Sequence, residues 1–394
     1  MAKLTVRDAL LRDKRCFVRV DYNVPMKGSE ITDDTRIKAS LSTVRYLVEH
    51  GAKVIVASHL GRPGGKVVEG LRMDPVARRL GELLGREVPK LDDCIGPDVE
   101  AFVSRMKPGD VVLLENVRFH AGEEKNDPEL AGKMAALADI FVNDAFGTAH
   151  RAHASTAGIA AFIPAYAGFL MEKEVDALGR LLEDTERPFT AVIGGAKVSD
   201  KLKVLLNLLD RVDALLIGGG MANTFLLAEG YSVGKSLAEP AMAESALEIL
   251  DKSRKAGKTV LLPQDVVVAP SPDVGVSVQA VSAASIPADQ MALDIGPRTR
   301  RQYSEKILSS KTVFWNGPMG VFEVEPFRGG TMEIAGAMAA VRGFTVVGGG
   351  DSLAAVEMSG LSGRMSHLST GGGASLEFLE GRTLPGVACL LDKR

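Results

Sequence analysis

The chain has 394 residues, 46% hydrophobic and 25% charged. This is globular composition and excludes wholesale disorder. A length past about 250–300 residues predicts more than one domain. Lys and Arg number 47 against 50 Asp and Glu, a net charge of −3, so no bulk basic field exists to draw nucleic acid, although a local basic pocket is compatible with it. No run of about 18 uncharged apolar residues occurs, so no membrane partner is expected. Asp8, Arg12, Asp13, Lys14 and Arg15 interrupt the N-terminal segment as a signal peptide, and a cytoplasmic location is expected. Cys16, Cys94 and Cys389 are odd in number and widely spaced, which favours buried free thiols over zinc or disulfides. The 42 glycines exceed the average of about 7% and predict many tight turns or close backbone approaches.

In chain order, apolar runs at 16–20, 54–57, 111–114, 140–142, 190–193, 214–217, 259–262, 312–315 and 344–347 predict strands. Amphipathic stretches at 37–50, 74–84, 200–209 and 241–256 predict helices among them. Continuous apolar runs suit strands buried on both faces, and their alternation with helices predicts parallel sheets. The pattern recurs in both halves. The expected fold class is therefore α/β, with two doubly wound parallel-sheet domains joined by an interdomain helix and hinge. Residues 166–184 supply that helix, since Phe169, Leu170, Val175, Leu178, Leu181 and Leu182 keep helical spacing with charges interleaved. The alternative is a surface helix within one larger domain.

In open parallel sheets ligands bind beyond the carboxyl ends of the strands. In the first half those positions are polar and cationic: Asp21 and Asn23 after the first strand, His59 and Arg62 after the second, Arg118 after the third, and His150, Arg151 and His153 after the fourth. Arg36 lies just before a helical stretch. Each arginine alone reads as a surface charge. Gathered in one cleft, like charges are costly unless an anion occupies it, and guanidinium forks match phosphate and carboxylate oxygens. The first half thus reads as a pocket for a small, multiply anionic molecule.

The corresponding positions in the second half are glycine-rich: Gly194-Gly195 with Lys197 and Lys201, Gly218-Gly219-Gly220, Asn316-Gly317-Pro318, Gly348-Gly349-Gly350-Asp351-Ser352 and Gly371-Gly372-Gly373. Glycines ahead of a helix let backbone N–H groups and the helix dipole face a phosphate, which favours a nucleotide over mere packing. Asp351 fits a Mg²⁺ ligand or a helix cap. Gly230…Gly234-Lys235-Ser236 resembles a phosphate-binding loop, but only three residues separate the glycines where four are needed. No Gly-x-Gly-x-x-Gly run follows a strand, which argues against a dinucleotide fold. Trp315 is apolar-flanked and reads as structural.

Segments 20–25, 58–63, 143–153, 194–201, 314–323, 348–352 and 370–375 resemble, in order, the signature segments of the phosphoglycerate kinase family, and the resemblance covers nearly the whole chain. It implies transfer of phosphoryl from 1,3-bisphosphoglycerate to ADP, giving 3-phosphoglycerate and ATP, with Mg²⁺, by a monomer. It implies a phosphoglycerate-binding domain of residues 1–167 plus 377–394, a linking helix at 168–184 and a nucleotide-binding domain of residues 185–376. Carried over position by position, Asp21, Asn23, Arg36, His59, Arg62, Arg118 and Arg151 would bind phosphoglycerate. Lys201, Ala292, Asn316, Pro318, Glu323, Gly350, Asp351 and Ser352 would bind nucleotide, with Asp351 holding the metal–nucleotide complex and Glu323 the ribose. Arg36, Lys197, Gly371, Gly372 and Gly373 would stabilise the phosphoryl group in flight. Ala292 stands where the family usually has glycine, and Tyr22 where it commonly has Phe or Leu.

The chemistry implied needs no general base, because a carboxylate leaves or attacks and is already ionised at neutral pH. Catalysis reduces to alignment and charge stabilisation. Two pockets on two domains imply closure, because reacting atoms must come within about 3–3.5 Å. A different α/β kinase or nucleotide-dependent ligase is the rival enzyme. A two-domain anion receptor is the non-catalytic rival; it would need neither the glycine loops nor two ligands.

Overall fold

A computed structural model describes residues 3–393. The chain divides into two compact units, Met1–Asp176 with Thr383–Arg394, and Ala177–Arg382.

The first unit contains β1 (Arg15–Val20), the hairpin β2 (Met26–Lys27) and β3 (Glu30–Ile31), α1 (Thr35–Glu49), β4 (Lys53–Ala57), α2 (Asp74–Leu84), α3 (Pro97–Ser104), β5 (Val111–Leu113), α4 (Pro128–Ala136), β6 (Ile140–Asp144) and β7 (Ala165–Ala167). Its sheet is parallel throughout, in the order β5-β4-β1-β6-β7. β1, β4, β5 and β6 are almost wholly buried, as apolar runs covered on both faces must be. Each fully buried Val or Leu there contributes about 1.5–3 kcal/mol of transfer free energy. Proline in the first turn and left-handed Gly85 after the last delimit α2. Asp127 caps α4 by accepting from Leu130 N at 2.9 Å.

β6 runs two residues past the expected end at 142, placing Asn143 and Asp144 inside the strand. Asp144 Oδ1 accepts from Leu170 N at 2.8 Å and Met171 N at 3.2 Å, which fixes the start of α5 (Phe169–Leu182). That helix begins in the first unit and ends in the second. The chain returns to the first unit at Thr383 rather than 377. There Leu391 N donates to Ala165 O at 3.0 Å, and Asn143 Nδ2 donates to Gly386 O at 2.9 Å.

The second unit contains β8 (Phe189–Ile193), α6 (Leu202–Leu209), β9 (Ala214–Ile217), α7 (Gly219–Ala228), α8 (Ala243–Lys255), β10 (Thr259–Leu261), β11 (Asp265–Ala269), β12 (Gln279–Ser282), β13 (Met291–Ile295), α9 (Pro297–Leu308), β14 (Thr312–Asn316), α10 (Gly329–Ala340), β15 (Phe344–Gly348), α11 (Gly350–Met358), β16 (His367–Ser369) and α12 (Gly373–Leu379). A six-stranded parallel sheet has the order β10-β9-β8-β14-β15-β16. A separate antiparallel sheet, β12-β11-β13, was not foreseen. Trp315 is fully buried and donates to Gly317 O at 2.8 Å, a structural role. No described helix is long and apolar enough to cross a membrane.

Candidate active site

In the first unit, cationic side chains gather beyond the carboxyl ends of the strands. Arg36, at the start of α1, donates from Nη1 to Asp21 Oδ2 at 2.7 Å. Asn23 Oδ1 accepts from Gly61 N at 2.8 Å, and Arg118 Nη1 donates to Gly61 O at 2.8 Å. These bonds tie the loop after β4 to the loops after β1 and β5. His59 is buried, with Nδ1 3.9 Å from Asp21 Oδ1. Arg151 donates from Nε to His150 Nε2 at 3.1 Å. Arg62 is exposed.

The electrostatics agree with a cationic cluster. Burial, then the charges of Arg19, Arg118, Arg36 and a neighbouring His153, hold His59 well below the ordinary histidine range. Burial, then Arg118, Arg19, Arg151 and His150, pull His153 down to about 4. Both imidazoles are therefore neutral near pH 7, and the arginines carry the positive charge.

Sequence reasoning missed the group beneath this cluster. Arg19 is fully buried at the carboxyl end of β1 and donates from Nε to Ser155 Oγ at 2.8 Å. Ser155 Oγ donates in turn to buried Glu123 at 2.5 Å. The available signal was an arginine inside an otherwise apolar strand, because buried charges occur only where paired.

In the second unit a cleft of about 320 Å³ opens beside the ends of β8, β9, β13 and β14, a volume typical of small-molecule sites. Ala292, Pro318, Glu323 and Asp351 line it, as expected positions, together with Gly195, Gly219 and Gly220. Leu237, Pro263, Val266 and Met291 add an apolar wall that the sequence did not reveal. Buried Asp294 closes the floor. Its carboxylate accepts from Arg300 Nη2 and Gly330 N, both at 2.7 Å, and burial pushes it up to about 6.

Lys201 sits immediately ahead of α6 and donates to Gly194 O at 2.7 Å and Asn316 O at 3.1 Å. Burial lowers its ammonium to about 8, against the opposing pull of Asp351 and Asp200. Asn316 is buried, with Nδ2 unpaired within the protein. Ser352 Oγ accepts from Gly317 N at 2.6 Å and ties the start of α11 to the Asn316-Gly317-Pro318 loop. Lys197, Glu323 and Asp351 are exposed.

The glycines separate into two kinds. A Cβ on Gly194 would lie 2.1 Å from Pro318 O, one on Gly218 2.4 Å from Met319 Sδ, and one on Gly219 2.7 Å from Gly195 N. These three admit close packing by neighbouring loops, and their N–H groups already donate to Asn316 O, Ile193 O and Met319 O, a structural role that corrects their reading as phosphate contacts. A Cβ on Gly350, Gly372 or Gly373 would meet no other part of the protein within 4 Å, and Gly372 has φ +54°. Gly371 is buried, its N–H 3.4 Å from Ser369 Oγ. Gly350, Gly372 and Gly373 present open backbone at the starts of α11 and α12. The segment from Gly230 to Ser236 serves packing: Ser236 Oγ accepts from Ala292 N at 2.8 Å, and a Cβ on Gly234 would meet Pro287 O at 2.3 Å.

The donors of the cleft suit a metal bound through phosphates. Asp351 offers an exposed hard oxygen in the first turn of α11. Among the described residues, Asp93, Cys94 and His120 of the first unit are the one grouping of three metal-type donors. The cleft therefore holds no ready-made cage, and Mg²⁺ typically needs none when phosphates complete its shell.

The phosphoglycerate kinase family profile matches residues 6–382. The chain is 58% identical over 393 residues, all of both chains, to the phosphoglycerate kinase of Moorella thermoacetica, and 58% over 393 residues, again all of both, to that of Pelotomaculum thermopropionicum. The solved phosphoglycerate kinase of Coxiella burnetii superposes with a TM-score of 0.91 at 44% identity, covering 98% of each chain. That of Pyrococcus horikoshii gives 0.85 at 38% identity, also over 98% of each. The chain belongs to the phosphoglycerate kinase family.

Proposed function

We propose that the reversible transfer of phosphoryl from 1,3-bisphosphoglycerate to ADP, the glycolytic reaction of this kinase family, is divided between the two units. Asp21, Asn23, Arg36, His59, Arg62, Arg118 and Arg151 bind the phosphoglycerate. The observation that carries this reading is the arginine cluster with its histidines held neutral, an unfavourable concentration of charge that a multiply anionic ligand relieves.

Lys201, Asn316, Pro318, Ala292, Glu323, Gly350, Asp351 and Ser352 bind the nucleotide. The unpaired Asn316 Nδ2 and the buried ammonium of Lys201 are donors that phosphate oxygens would satisfy. Bound Mg²⁺ neutralises phosphate charge, and Asp351 is the residue that would hold it. Ala292 lines the cleft while its N–H donates to Ser236 Oγ at 2.8 Å.

No residue needs to serve as base, since the acceptor carboxylate is ionised. Arg36, Lys197 and the backbone of Gly371, Gly372 and Gly373 stabilise the equatorial oxygens during in-line transfer. Transfer also requires the two ligands within about 3–3.5 Å and shielded from water, so closure of the doubly liganded enzyme belongs to the proposal. The proposal places this reaction in a cytoplasmic monomer acting on small molecules. The deciding assay supplies ADP, Mg²⁺ and 1,3-bisphosphoglycerate and couples ATP to a reporter. ATP formation is expected, and its absence from folded protein would refute the assignment.

A further inference from the structure

A buried hydrogen-bonded chain runs beneath the anion cluster, and binding an anion does not by itself require it. Glu123, with no exposed surface, accepts from Ser155 N at 2.9 Å and Ser155 Oγ at 2.5 Å. Ser155 Oγ accepts from Arg19 Nε at 2.8 Å. Arg19 Nη1 donates to Val20 O, and Nη2 lies 3.2 Å from His59 Nδ1. A guanidinium has donors only and stays protonated in proteins. The imidazole nitrogen facing it must therefore offer a lone pair. Asp21 Oδ1, at 3.9 Å from Nδ1, is beyond hydrogen-bond distance and does not compete.

We propose that Glu123, acting through Ser155 and Arg19, is a positioning residue that fixes His59 as the neutral Nε2–H tautomer, so that the ring meets the bound phosphoglycerate as an uncharged hydrogen-bond donor. This rests on the proposed placement of phosphoglycerate on the arginine cluster. The surroundings point the same way. The groups facing His59 are Arg19 on β1, Arg36 on α1, Arg118 after β5 and His153 after β6, with the Asp21 carboxylate 3.9 Å from Nδ1. An imidazolium there would add a fourth positive charge where burial already disfavours it. A neutral donor keeps the ring's contribution to binding constant through the pH range in which an ordinary histidine titrates.

The test is long-range ¹⁵N–¹H NMR on the full chain with labelled histidine, His59 being assigned by its loss in His59→Gln. The expected spectrum is the Nε2–H pattern, unchanged from pH 8 to 5.5. An Nδ1–H or imidazolium pattern at pH 7 overturns the proposal. Ser155→Ala cuts the relay while Glu123 keeps its bond from the residue 155 backbone. It should mix the tautomers and raise KM for 3-phosphoglycerate at least about fivefold, with KM for ATP unchanged and Ser155→Thr restoring both readouts. An unchanged His59 pattern in Ser155→Ala also overturns it, and Glu123→Gln repeats the measurement from the far end of the relay. Titrating wild type with 3-phosphoglycerate separates the two readings. If the His59 signals do not move, the binding assignment fails, whereas the tautomer of the free enzyme is judged on its own spectrum.

Discussion

Nucleotide binding should change the charge of one side chain in the second unit, Lys201. Its ammonium donates to two carbonyls, Gly194 O and Asn316 O, and burial brings its pKa to about 8. With that value it is about half protonated at pH 8, about nine-tenths at pH 7 and about one-tenth at pH 9. Phosphate oxygens placed beside it would return it toward the ordinary lysine value, near 10.4, and keep it fully charged. Binding ADP should therefore take up about 0.1 proton at pH 7, about 0.5 at pH 8 and about 0.9 at pH 9. Phosphates, with a second pKa near 6, contribute little above pH 8. Calorimetric titration with ADP in buffers of different ionisation enthalpy reads this number as a slope at each pH. The rise with pH should vanish in Lys201→Met. A slope that does not change between pH 7 and 9, or that survives in Lys201→Met, refutes the placement of phosphate against this ammonium.

Arg36→Ala should lower kcat at least about a hundredfold, the usual cost of removing one transition-state donor; steady-state rates near wild type would remove Arg36 from the transfer step. Gly194→Ala forces a Cβ to 2.1 Å from Pro318 O and should destabilise the second unit by about 1–3 kcal/mol in chemical denaturation. Gly373→Ala meets open space and should leave that stability unchanged. His153 has a folded pKa of about 4 against about 6.5 unfolded. The unfolded chain binds the extra proton in that window, so His153 costs stability as pH falls from 6.5 toward 4. Between pH 6.5 and 5 this amounts to about 1–2 kcal/mol. His153→Gln should flatten that part of the denaturation profile, and an identical slope in both proteins would contradict the shift.

Much of the first unit was legible because β1, β4, β5 and β6 are apolar runs buried on both faces. The carboxyl-end rule then pointed to Asp21, His59 and Arg118 without any side-chain geometry. The antiparallel sheet was not legible for an equally physical reason. β12 is largely exposed and carries no apolar run, whereas β11 is a buried apolar run over residues 266–269 that was legible but falls outside the alternation of strand with helix. Its neighbour β13 supplies the wall of the cleft that includes Ala292, so that residue was placed by resemblance alone. The glycine triplets were misread in part because sequence does not distinguish a glycine that admits a ligand from one that admits another loop. Gly350 and Gly218 look alike as letters and differ only in what lies opposite them. Arg19 was passed over because position in a strand interior argued for packing, whereas its charge required the partners now seen in Ser155, Glu123 and His59.

The division of ligands between the units is tested most directly at Arg62, whose exposed side chain can be removed without disturbing the fold. Calorimetric titration of Arg62→Ala with 3-phosphoglycerate and, separately, with ADP should show the first affinity weakened at least about tenfold, as for a charge-assisted contact to an anion, and the second unchanged. An unaltered affinity for 3-phosphoglycerate, or an equal loss for both ligands, would contradict the account.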